Sequence, residues 1–159
     1  SYKITRCCYS FMKNLRPNDL KNFNIFKHYR IIRKWACKNN DLNEPDLELL
    51  IYLDCIDLFT KKDFIKGVYS YSWDNRRWNR LLKNSWIKVW RERNRTTQKH
   101  NIYTLTYKSK LLINTIYKII LGTIDIPTSE RRNKIIKGKT YIDKVLTKSI
   151  YNVNKDKYR

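Results

Sequence analysis

The sequence predicts a mainly α-helical protein with one small β-wing, and three observations carry that expectation. In each segment read as a helix, apolar residues recur at a spacing of three to four, the period of a helix with one buried face. Strand-like alternation is confined to Ile87–Trp90 and Ile102–Leu105. Between Leu58 and Leu105 stand, in order, a short capped helix, a turn, a helix bearing Arg76, Arg77, Arg80 and Lys83, and a hairpin with a basic tip. That order is the winged helix-turn-helix plan, which presents its second helix to the major groove and its hairpin to the backbone or minor groove. An added N-terminal helix and a basic C-terminal extension ending in a helix complete the expected fold. The expected division is a basic arm over 1–17, a winged-helix domain with its N-terminal helix over 18–122, and the extension over 123–159.

The elements follow from local signals. Pro17 ends the arm, and Asn18 or Asp19 can cap a helix running to about Asn39, with Leu20, Phe23, Phe26, Tyr29, Ile32, Trp35 and Ala36 on one face. Asn43 is a good N-cap for the next helix, Asp46 sits three residues on, and Pro45 suits the first turn. Leu42 and Leu47 stand at hydrophobic-staple positions, and Leu47, Leu50, Ile51 and Cys55 form the expected buried stripe up to Asp57. Thr60 and Asp63 make a capping box for a helix over Lys61–Val68 that buries Phe64, Ile65 and Val68. Tyr69-Ser70-Tyr71 is the turn, and Ser72 caps a helix from Trp73 to about Asn84. After the wing, Thr106 starts an amphipathic helix with Leu111, Leu112, Thr115, Ile116, Ile119 and Ile120 in its stripe, stopped by Gly122. Ile124–Lys139 reads as an extended connector with the basic run Arg131-Arg132-Asn133-Lys134. Thr140 and Asp143 repeat the capping-box pattern ahead of a last helix with Ile142, Val145, Leu146, Ser149 and Ile150 on one face. Asn152–Arg159 reads as a polar tail.

A length of 159 residues suits one domain, and 42% hydrophobic and 14% aromatic residues can supply its core. The net charge of +21 is unevenly placed. Residues 1–39 hold ten Lys/Arg against one acid, residues 40–72 three against seven, residues 73–110 eleven against two, and residues 111–159 eleven against four. Basic segments thus surround a neutral-to-acidic helical block, and such a charge favours a polyanionic partner, nucleic acid first. The abundance of Lys, Asn, Ile and Tyr also fits an AT-rich genome, such as that of a phage. No apolar run approaches the ~20 residues of a membrane span, and the N-terminus lacks an apolar signal core. The expected location is cytoplasmic: host cytoplasm, or the virion interior if the protein is viral.

No catalytic constellation is visible. His28 and His100 are the only imidazoles, and neither lies near a Ser or Cys with an orienting acid in the sequence. With Gly67, Gly122 and Gly138 as the only glycines, there is no glycine-rich phosphate loop. The four cysteines form no CxxC; Cys55 reads as a buried thiol, and vicinal Cys7–Cys8 lack obvious co-ligands. The expectation is a non-enzyme with no cofactor and no metal.

The residues that carry the functional reading lie on the second helix and the wing. With Trp78, Leu81 and Leu82 inward, Asn75, Arg76, Arg77, Asn79, Arg80 and Lys83 are left for nucleic acid. Arginine pairs with guanine edges and asparagine with adenine edges. Arg91, Arg93, Arg95 and Lys99 crowd the polar wing segment, placed for phosphates or the minor groove.

The order of elements resembles the MarR-type winged-helix regulators over about Leu42–Gly122. Leu42-Asn43-Glu44-Pro45 looks like that family's opening of its second helix, and Leu58-Phe59-Thr60 like its entry to the helix-turn-helix. Leu81–Ile87 resembles the end of its recognition helix, and Leu105-Thr106 the wing's exit into the long dimerisation helix. Ser85 stands where the family usually has glycine, Tyr107–Ser109 lacks the glycine expected after Leu-Thr, and Arg93-Asn94-Arg95 replaces the family's Asp-x-Arg. The resemblance implies a dimeric DNA-binding regulator of transcription, with double-stranded DNA as partner. A second reading takes the winged helix as a docking scaffold in a virion or other nucleoprotein assembly.

Overall fold

The structure, a computed structural model, describes residues 16–23, 26–68, 75–94 and 96–156. The basic arm up to residue 15 with Cys7 and Cys8, the Tyr69-Ser70-Tyr71 turn, the Ser72 cap with Trp73, Arg95 and the last three residues lie outside them, as do the side chains of Phe23 and Val68. The described elements run α1 (Pro17–Phe23), α2 (Tyr29–Asn40), α3 (Glu44–Ile56), β1 (Leu58–Phe59), α4 (Lys61–Val68), α5 (Asn75–Lys83), β2 (Ile87–Arg91), β3 (Ile102–Leu105), α6 (Tyr107–Ile120), α7 (Lys134–Lys137) and α8 (Tyr141–Asp156). The chain is mainly helical with a three-stranded antiparallel sheet in the order β1-β3-β2, a winged-helix arrangement. No helix among the described residues is long and apolar enough to cross a membrane.

The wing forms where strand alternation predicts it, with Ile87 opposite Leu105 and Lys88 opposite Thr104. The third strand, β1, joins through Leu58 opposite Thr104 and Phe59 opposite Tyr103. Phe59 thereby enters an aromatic cluster that fixes α5. The Trp78 ring lies 4.9 Å from Phe64, 6.5 Å from Phe59 and 4.6 Å from Tyr103 between centroids, each edge to face. Such pairs add about 0.5–1.5 kcal/mol each beyond the area they bury. Trp78 and Leu81 are buried as expected, whereas Leu82 is only half-buried.

Several local expectations are corrected. The N-terminal helix is two helices, because a turn at residues 26–28 separates α1 from α2. Ile32, Trp35 and Ala36 are buried, but Leu20 and Phe26 are exposed. Along α3 the buried residues are Asp46, Leu47, Leu49, Leu50 and Leu53. This helix is apolar on nearly every side, so tertiary packing rather than periodicity selects the face, and Cys55 is exposed instead of buried. Among the described residues the buried thiol is Cys37, whose pKa burial pushes up to about 11. In α4 Phe64 is buried but Ile65 points outward. In α6 Leu112, Ile113, Ile116 and Ile119 are buried; Leu111 is exposed, one step off the expected stripe. Gly122 does stop that helix. It has φ 77°, and Gly122 N–H and Thr123 N–H donate to the Ile119 and Lys118 carbonyls, the paired bonds of a Schellman cap.

Residues 124–139 are more than an extended connector. Ile126 and Ile135 are fully buried, and α7 forms within the segment. Its backbone is satisfied from both sides: Asn154 exchanges hydrogen bonds with the Ile126 backbone (3.0 and 3.1 Å), and Asn133 donates to the Pro127 carbonyl (2.7 Å). The last helix extends through Asn152–Asp156, expected as tail, because Val153 continues the buried stripe of Leu146 and Ile150. Ile142 and Val145, expected inside, are exposed.

Candidate nucleic-acid interface

The outward face of α5 carries Asn75, Arg76, Asn79, Arg80 and Lys83, all exposed, with Arg77 half-buried at its margin. The aromatic cluster beneath Trp78 holds this face rigidly, since a packed ring can shift only by disturbing its neighbours. At the C-terminal end, Ser85 adopts φ 60°. This left-handed conformation costs a non-glycine residue about 1–2 kcal/mol, which explains a preference for glycine at such a corner. Here Thr106 donates to the Ser85 carbonyl at 2.6 Å and secures the bend into β2. Ser109 is fully buried and donates to the Trp86 carbonyl at 2.6 Å, so the wing's exit is tied to its entry without a glycine.

Two of the expected DNA-reading arginines have a partner that the sequence does not reveal. Arg77 Nε stands 3.1 Å from Asp46 Oδ1, and Arg80 Nη2 stands 2.7 Å from Asp46 Oδ2. The carboxylate is only 2% exposed, while Arg80 remains 44% exposed. Asn43 occupies the N-cap of α3 but makes no side-chain cap bond, so Asp46 does not serve as the partner of a capping box. It instead bridges two turns of α5. Arginine offers five N–H donors in a planar fork. Arg80 can therefore keep one on Asp46 and present the rest outward.

The wing supplies the second basic surface. Lys88, Arg91, Arg93 and Lys99 are exposed, and among the described residues no carboxylate lies within ion-pair distance of any of them. Several acids elsewhere are occupied: Arg33 and Lys34 engage Glu44 (3.4 and 2.9 Å), Lys110 engages Asp57 (3.4 Å), and Lys134 engages Asp41 (3.1 Å). The tip is closed by local bonds, which is how a long connection makes a wing. Gln98 N–H donates to the Asn94 carbonyl (2.8 Å), and Arg93 N–H donates to Asn101 Oδ1 (2.6 Å). Arg95 lies outside the described residues.

A cleft of about 330 Å³ lies between the start of α4 and the wing. Lys61 and Lys62 line it from the start of α4, and Arg93, Lys99 and His100 from the wing. The Thr60 capping box forms its floor on one side. Asp63 Oδ2 accepts from Thr60 N–H at 2.9 Å and from its hydroxyl at 3.2 Å, which orients the first turn of α4. Such a cationic cleft can hold a phosphate group. The two lysines escaped the sequence reading because they sit in the block where acids outnumber bases; only the fold carries them to the wing.

No family model matches the chain, and no curated protein matches it. Solved structures similar to it include wild-type MarR from E. coli in its apo form, at 13% identity and a TM-score of 0.42 over 70% of this chain and 87% of that one. The reduced form of E. coli MarR aligns at 13% identity and a TM-score of 0.45, over 89% of this chain and 97% of that one.

Proposed function

We propose that this protein binds double-stranded DNA as a transcriptional regulator, with α5 in the major groove and the wing on the backbone or minor groove. The observation that carries the reading is a wing whose described cations form no ion pair, beside a rigidly mounted Asn/Arg face on α5. Arg76, Asn79, Arg80 and Lys83 would meet base edges and flanking phosphates, with Asn75 and Arg77 at the margin. Arg91, Arg93, Arg95 and Lys99 would neutralise phosphates. The role is binding rather than catalysis.

Titration of a duplex over a range of salt tests this. Alanine at Arg93 and Lys99 should lower the log–log salt slope by ~1 per residue and weaken all sequences about equally. Alanine at Arg80 should cost ~1–3 kcal/mol and relax selectivity. Wild-type protein without measurable affinity for any duplex would contradict the reading.

One observation favours the second reading, a component of a larger assembly or an oligomer. Tyr141, Ile142 and Val145 are 81%, 67% and 44% exposed on one helix, α8, an apolar surface a partner protein could cover. If that use dominates, a Tyr141→Lys, Ile142→Lys pair abolishes assembly and leaves duplex affinity unchanged.

A further inference from the structure

The arm β2 leaves regular pairing at one place. Val89 stands opposite Tyr103 and Arg91 opposite Ile102, so Trp90 is the extra residue of a bulge. A bulge interrupts the alternation of a strand and re-aims the side chain it carries. Here the bulged residue is an outward-facing tryptophan. Trp90 is 52% exposed, while Trp35, Trp78 and Trp86 are each at most 4% exposed. The ring has cationic company: the Arg91 guanidinium carbon lies 5.9 Å from its centroid, and Lys88 and Arg93 are exposed on the same arm. Glu92 is the single acid on this arm, and it forms no ion pair with these cations.

An exposed indole among cations has a definite chemical complement. Its face stacks on any nucleobase, and the flanking charges take the phosphates on either side. A protein partner would have to bring acidic groups around an apolar contact, whereas a nucleic-acid strand carries both chemistries in one repeat. Paired bases inside a duplex offer no free face. The complement is therefore a base already unpaired, at a single-stranded tail, a bubble or a junction.

We infer that Trp90 is a stacking platform for an unpaired DNA base, so that the wing engages single-stranded DNA adjoining the duplex held by α5. The inference rests on the DNA-binding reading given above, and the test separates the two. Wild-type, Trp90→Phe and Trp90→Ala proteins are titrated with a blunt duplex, the same duplex bearing a single-stranded tail, and the tail alone, with 2-aminopurine in the tail. Wild type should favour the tailed duplex over the blunt one by on the order of tenfold and should change the 2-aminopurine emission. The Phe variant should keep most of both effects. The Ala variant should lose both while its affinity for blunt duplex stays the same. Equal binding of tailed and blunt duplex by wild type, or a preference that survives in the Ala variant, overturns the inference and leaves the duplex reading intact. A Trp90-dependent emission change on the tail, with no binding of blunt duplex, supports Trp90 as the stacking platform and overturns both the duplex reading and the placement of the tail beside a duplex.

Discussion

Asp46 and Asp143 are two buried carboxylates in the same sequence setting, and they are used in opposite ways. Each lies in the first turn of its helix, three residues after the cap position, at Asn43 and Thr140 respectively. Asp143 closes the local motif. Its backbone N–H donates to the Thr140 hydroxyl at 3.2 Å, and its carboxylate accepts from that hydroxyl at 2.7 Å and from Thr140 N–H at 3.4 Å. It also takes the ammonium of Lys38, which fastens α8 onto α2. Asp46 leaves its cap unclosed and binds Arg77 and Arg80 instead. A threonine hydroxyl can donate and accept at once, so it retains the carboxylate. Asn43 makes no such bond, and the carboxylate is released to a contact 34 residues away. The difference teaches that one pattern can serve local folding at one end of the molecule and the geometry of the outward face of α5 at the other.

Removing a core side chain from α5 and from α8 is the harshest way to separate the two regions. Trp78→Ala, beneath α5, should cost ~3–5 kcal/mol and abolish duplex binding even at a temperature where the variant is folded. Ile150→Ala, beneath α8, should cost ~2–5 kcal/mol and leave duplex affinity per folded molecule unchanged. Denaturant titration and binding isotherms on the same samples check both. Equal losses of affinity would show that the two regions are one functional unit.

Neutral replacements sharpen the contrast. Asp46→Asn should lower discrimination between a preferred and a random duplex by ~10-fold, about 1.4 kcal/mol, because Arg80 loses its backstop. Affinity for random duplex should hold or rise, since a negative charge near the phosphates is gone. Asp143→Asn should leave discrimination untouched and lower the melting temperature. The hydrogen bonds from Lys38 and Thr140 hold the Asp143 carboxyl below its ordinary range. Its stabilisation is thus complete above the unfolded value of about 3.9 and is lost as pH falls through the lower folded value. The stability gap between wild type and Asp143→Asn should be constant near neutral pH and close in acid. Calorimetry across that range decides it, and a gap that widens in acid would be inconsistent with the assigned direction.

The smallest expected effect lies at the corner of α5 and β2. Ser85→Gly should stabilise the protein by about 1 kcal/mol by relieving the left-handed backbone, with duplex affinity unchanged. A chemical-denaturation midpoint that fails to rise would mean that the Thr106 bond to the Ser85 carbonyl already offsets the strain.

Much of this frame is legible in the sequence, and what is missing has physical causes. The two wing arms, the Thr60 and Thr140 caps, the Gly122 stop and the burial of Trp78 and Leu81 all rest on signals within a few residues, and each appears where expected. Faces of helices that are apolar on several sides were not legible, so Leu53 rather than Cys55 is inside α3 and Ile113 rather than Leu111 inside α6. Outward candidates on α5 followed from helical period. The brace at Asp46, the cleft lysines and the outward turn of Trp90 did not, because each depends on partners or pairing register remote in sequence.

In the proposed function α5 reads base sequence while the wing supplies general affinity. The most direct measurement of that division is competition, at physiological salt, between a duplex selected from a random pool and the unselected pool. The selected duplex should bind ~10³-fold tighter or more, with the ratio reduced by Arg80→Ala and unaltered by the paired wing variant Arg93→Ala, Lys99→Ala. No enrichment of any duplex, with pool affinity that vanishes as salt rises, would contradict it and leave a protein that holds DNA by charge alone.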